Sequence, residues 1–130
     1  MTNHPNLALV EAAYEAFAAG DMAAIGELLD DNAVWHAGGN SPISGDYVGK
    51  EAIFGFFGQI IEGTGGTFKN DVHDMLANDN HAVALINSSA TRGDKELKVR
   101  AVHVSHWKNG KMTEFWNFPQ DQEALDEFWS

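Results

Sequence analysis

The chain has no cysteine, which excludes disulfides and thiolate chemistry and suits the cytosol. It has no apolar run long enough to span a bilayer. The opening stretch Met-Thr-Asn-His-Pro-Asn lacks the basic and apolar regions of a secretory leader. Cations are scarce: eight Lys and Arg face nineteen Asp and Glu, a formal charge of −11. That balance argues against nucleic acid or an anionic membrane as partner and favours a neutral or cationic small molecule. No phosphate-cradling glycine motif and no nucleophile elbow occurs, so neither a bound cofactor nor a serine-hydrolase mechanism is expected. Compact metal-ligand spacing is missing as well. A site built from His36, His73 and His103 with a carboxylate is the alternative that distant residues leave open.

What remains reads as one domain over residues 1–130, long enough for a single core. Leu7, Val10, Tyr14 and Phe17 recur at helical spacing and predict a helix over about 5–19, ended by Gly20. Asp21 caps a second, shorter helix whose apolar face is Met22, Ile25, Leu28 and Leu29. A short strand over 33–37 and a glycine-rich loop over 38–49 come next. A third helix over 49–62 buries Ile53, Phe56, Phe57, Ile60 and Ile61. After Gly63-Thr64-Gly65-Gly66 the period becomes alternating. Strands are predicted at 67–77, 81–92, 95–108 and 111–118, with Asn109-Gly110 a strong hairpin signal. The tail 121–129 reads as a short amphipathic helix. The class is α+β: three N-terminal helices covering one face of a bent antiparallel sheet.

Strand alternation sorts the candidate side chains. Val99, Ala101, His103, Ser105 and Trp107 share one face of their strand, and Arg100, Val102, Val104 and His106 share the other. Phe115 and Asn117 likewise oppose Trp116 and Phe118. An inward Asn117 is a polar group in an apolar cavity, suited to orienting a ligand. His36 follows Ala33-Val34-Trp35 and precedes Ala37-Gly38-Gly39, a titratable ring among apolar neighbours. For both histidines the plainer alternative is a core or rim imidazole with a satisfied hydrogen bond.

Ala19-Gly20-Asp21, Asp30-Asp31-Asn32-Ala33-Val34, Ser44-Gly45-Asp46-Tyr47-Val48-Gly49-Lys50-Glu51-Ala52-Ile53 and Asn109-Gly110-Lys111-Met112 carry a resemblance. In this order they resemble the SnoaL-like, ketosteroid-isomerase-like group of the nuclear transport factor 2-like superfamily. The resemblance implies a cone-shaped α+β barrel with a deep apolar pocket, and dimerisation through the outer sheet face. It places the catalytic aspartate of steroid isomerases on His36 and their pocket carboxylic acid on or beside His103. Their tyrosine donor falls on Ala13, one residue short of Tyr14. The steroid isomerase site is therefore not reproduced, although the fold transfers.

Two functions follow. The first is a cofactor-free enzyme of isomerase, cyclase or epoxide-hydrolase type acting on a hydrophobic substrate. His36 takes a proton or activates a water, and His103 with Asn117 stabilises negative charge on oxygen. Phe115, Tyr14 and Phe57 complete the substrate-binding wall. The second is a non-catalytic module binding an apolar ligand. Further expectations are a cytoplasmic homodimer using Trp116, Phe118, Val102 and Val104, and a cavity shared by His36 and His103 with Trp35 turned away.

Overall fold

The computed structural model describes residues 4–130. Residues 1–3, the start of the stretch read for a leader, lie outside the described residues. Helix α1 (Pro5–Ala19) begins where Pro5 tolerates the lack of an N–H and His4 accepts a hydrogen bond from the Asn6 amide. It ends at Gly20, whose φ of 71° closes the last turn in the left-handed region. Asp21 then caps α2 (Met22–Leu28) by accepting from the Ala24 amide. The sequence predicted Leu29 on the apolar face of this helix. Leu29 instead turns extended (φ −91°, ψ 138°) and opens strand β1 (Leu29–Ala37), buried all the same.

The loop expected over 38–49 contains a short strand, β2 (Gly45–Val48), paired antiparallel with β1. Its glycines and single aromatic concealed it from an alternation test. Helix α3 (Lys50–Gly63) and strands β3 (Lys69–Ala77), β4 (His81–Arg92), β5 (Lys95–Lys108) and β6 (Lys111–Pro119) lie within one or two residues of expectation, and α4 (Gln122–Trp129) ends the chain. The six strands of the described residues form one sheet in the order β2-β1-β6-β5-β4-β3. Its pairs are antiparallel except β1 with β6, which run parallel. The hairpins fix the directions within β3–β6 and within β1–β2. The pairing that joins these two groups links strands distant in sequence, so no tight turn dictates its direction.

The helices pack on one face of this curved sheet. Val10, Ile25, Ile53, Phe57, Ile60, Leu97 and Trp107 form the core with Phe128 and Trp129 of α4. The inner face of β4 carries Ala82, Ala84, Ile86, Ser88 and Ala90, all buried. Three alanines and a serine fill little volume, which leaves room for a cavity between sheet and helices. Among the described residues no helix is long and apolar enough to cross a membrane.

Candidate active site

The cavity has a volume of about 150 Å³. Its walls are mainly aromatic and aliphatic. Trp35 of β1 stacks on Phe115 of β6, with ring centroids 3.6 Å apart, and meets Phe57 of α3 edge-on at 4.9 Å. Stacked and edge-on contacts of this kind make a closely packed aromatic wall.

Into this apolar space β5 directs His103, which is 8% exposed. Its Nδ1 lies 2.6 Å from the hydroxyl of Tyr14 on α1. Burial holds Tyr14 well above the ordinary tyrosine range, so it keeps its proton. Among the described residues no other acceptor lies within reach of that hydroxyl. Tyr14 therefore donates to Nδ1, and the imidazole proton sits on Nε2. Burial pushes His103 down to about 4, with Asn117 opposing the effect in part. The ring is consequently neutral at pH 7 and presents an N–H donor. Asn117 is the register partner of His103 across β5–β6; its amide stands close enough to favour the imidazolium in part, yet its buried Oδ1 makes no hydrogen bond of normal geometry among the described residues. The pocket thus ends in a neutral donor and an acceptor side by side.

The five remaining expectations divide. Tyr14, Phe57, Phe115 and Asn117 all border the cavity with His103. His36 borders it as well, but its ring does not face His103 as expected. It stands where β1 passes the mouth, but its ring stacks on Trp116 at 5.0 Å on the opposite sheet face. There its Nδ1 is 2.7 Å from Asp46 and its Nε2 is 2.6 Å from Glu114. Partial desolvation acts to lower its pKa, but the hydrogen bonds and charges of Glu114 and Asp46 outweigh it and raise the value. Trp35 takes the inward place, so the expected pairing of His36 with His103 is overturned. The register explains why: Trp35 lies opposite Phe115 and His36 opposite Trp116, and a period of two commits every residue of β1 once one is placed. The large apolar indole goes in, and the imidazole goes out to two carboxylates.

The candidate metal set is not brought together. His103 lies in the cavity, His36 on the outer face, and His73 beside a separate surface groove with Arg100 and Phe118. Sequence reasoning missed the Tyr14–His103 bond, because contacts between a helix and a distant strand leave no local signal. It also missed Asn70 and Ser88 in the wall, and Gln122 and Asp126 at the mouth. Asp126 accepts from the Asn40 amide at 3.0 Å, tying α4 to the loop before β2.

With this geometry in place, kinship is clear. The SnoaL-like domain family matches residues 10–115, and the chain belongs to that family. An uncharacterised protein of Mycobacterium tuberculosis is 26% identical over the full length of both chains. Among solved structures, Bal32a from a soil-derived mobile gene cassette superposes with a TM-score of 0.93 at 40% identity, covering 96% of each chain. A protein of unknown function with a cystatin-like fold from Xanthomonas campestris gives 0.91 at 25% identity over 99% of each.

Proposed function

We propose that the chain is an enzyme of isomerase, cyclase or epoxide-hydrolase type, acting on a hydrophobic small molecule through its own side chains without a cofactor. The observation that carries this reading is His103: a buried neutral imidazole, oriented by Tyr14, at the polar end of an apolar pocket. In each of these reactions negative charge grows on a carbonyl, enol or epoxide oxygen. A neutral N–H aimed at that oxygen in a dry site stabilises the charge without first having to lose solvent. A neutral imidazole can fill this role when its conjugate acid is kept out of the working pH range. Asn117 Oδ1 is placed to accept from a substrate or water hydroxyl beside the same oxygen. Tyr14 and Asn117 orient, and Phe57 and Phe115 hold the body of the substrate.

A second reading, a binding module for an apolar ligand, is favoured by one observation. With the His36 ring turned onto Trp116, the pocket lacks the second imidazole that was to serve as base. Proton exchange separates the two. An apolar ketone with acidic α-hydrogens, such as 2-tetralone, is incubated in D₂O and followed by NMR. An enzyme accelerates exchange over buffer, solvent hydroxide taking the α-proton while the His103 N–H stabilises the enolate oxygen, and His103→Gln loses about 10²-fold of that acceleration. Saturable binding with no acceleration leaves the binding module.

The protein is further proposed to be a cytoplasmic homodimer. The cysteine-free composition supports the location. Trp116, Val102, Val104 and Phe118, the last 54% exposed, support an apolar contact on the outer sheet face.

A further inference from the structure

We propose that Asn70 and Ser88 form a second polar anchor, so that the pocket selects elongated apolar ligands with an oxygen at each end. This rests on the reading of the cavity as a site for hydrophobic small molecules and names the shape and chemistry it takes.

Ser88 lies on the inner face of β4 and is 8% exposed. Its hydroxyl donates to Asn70 Oδ1 at 2.8 Å, across the β3–β4 pair where the two residues are register partners. Both border the cavity. The Asn70 amide lies with its oxygen towards Ser88. Its oxygen is committed to Ser88, and its nitrogen donates to no acceptor among the described residues. A side-chain amide beside an apolar cavity with its donors unspent is suited to a ligand oxygen that accepts.

The position of this pair gives the ligand its length. Ala84 is the register partner of His103, and Ser88 lies four residues further along the same strand. At about 3.3 Å per residue, the two polar ends stand roughly 13 Å apart along the strand. The cavity that holds both ends is walled by Phe57, Phe17 and Phe68, with Phe17 in edge contact with each of the other two rings. A rigid apolar body with one oxygen at the His103–Asn117 end and an accepting oxygen at the Asn70 end satisfies both anchors. A molecule with one polar end leaves the other anchor unpaired, which costs affinity.

Asn70→Asp tests the anchor without dismantling it. The carboxylate still accepts from Ser88, so β3 stays tied to β4, but the amide donor is gone. Calorimetric titrations would use trans-stilbene, 4-hydroxystilbene and 4-hydroxy-4′-methoxystilbene, whose ether oxygen can only accept. In the unaltered protein the methoxy compound is expected to bind about tenfold tighter than the mono-ol. In Asn70→Asp that ratio is expected to fall to near one, with stilbene itself bound as before. Ser88→Ala, which releases the amide, is expected to reduce the ratio in the same direction. A ratio near one in the unaltered protein, or a tenfold ratio surviving Asn70→Asp, overturns the second anchor while leaving the pocket reading intact. No binding of any of the three overturns the pocket reading, and the anchor with it.

Discussion

Lowering the pH should destabilise this protein through His103, by an amount that follows from its burial. In the unfolded chain the ring takes a proton near 6.5, whereas in the folded protein it resists to about 4. Above 6.5 the ring is neutral in both states and pH has no effect through it. Between 6.5 and 4 the unfolded state binds more protons, so stability falls as pH falls. Each pH unit of that window is worth up to about 1.4 kcal/mol, which gives a loss of about 2.5 kcal/mol by pH 4.5. His36 acts in the opposite sense. Its raised pKa provides stability that is present below its unfolded value and is lost as pH rises through the folded one. The carboxylates contribute as well, so the test is a difference between two proteins. Urea unfolding of the wild type and His103→Gln would be followed by tryptophan fluorescence at pH 7 and pH 4.5. Trp107 and Trp129, both buried, report on the core. The wild type should lose about 2.5 kcal/mol more than the variant over that interval. Equal losses would refute the account of His103 as a ring kept neutral by burial.

Three further outcomes are expected. Tyr14→Phe removes the donor to Nδ1 and frees the tautomer, so it should lower α-proton exchange about tenfold and cost about 1–2 kcal/mol in thermal melts. Trp35→Ala opens the pocket wall and should cost about 3–5 kcal/mol, whereas His36→Ala should leave the exchange rate within about twofold. Phe118→Glu places a charge on the outer sheet face and should shift the sedimentation coefficient from dimer to monomer at about tens of micromolar, while ligand affinity stays the same.

Local patterns carried most of the fold. Helix α1 announced itself through apolar spacing and the Pro5 and Gly20 stops, and the four long strands through alternation and the Asn109-Gly110 turn. Alternation also placed His103 and Ser105 correctly with Ala101 and Trp107 on the buried face of β5. What failed depended on partners far away in sequence. The facing of β1 is set by its register with β6, and two aromatics, two carboxylates and one histidine compete for its two sides. Trp35 and His36 differ by a single residue, so a family correspondence accurate to one position still inverts the face. Tyr14 shows the same sensitivity on a helix. One residue from the family position is a rotation of about 100°, yet the hydroxyl reaches His103 from there. The Asn70–Ser88 pair was invisible because each residue alone is an ordinary polar position on a strand.

The central claim is that His103, and not His36, is the working imidazole, neutral and carrying its proton on Nε2. Nitrogen-15 NMR of the histidine rings measures this directly, across a pH titration and with 4-hydroxystilbene added. The account predicts that His103 titrates near 4, shows the Nε2–H tautomer at pH 7, and shifts on ligand addition, while His36 titrates above its ordinary value and does not respond to ligand. A His103 that titrates near 6.5, or a ligand that moves the His36 resonances and leaves those of His103 in place, would contradict it.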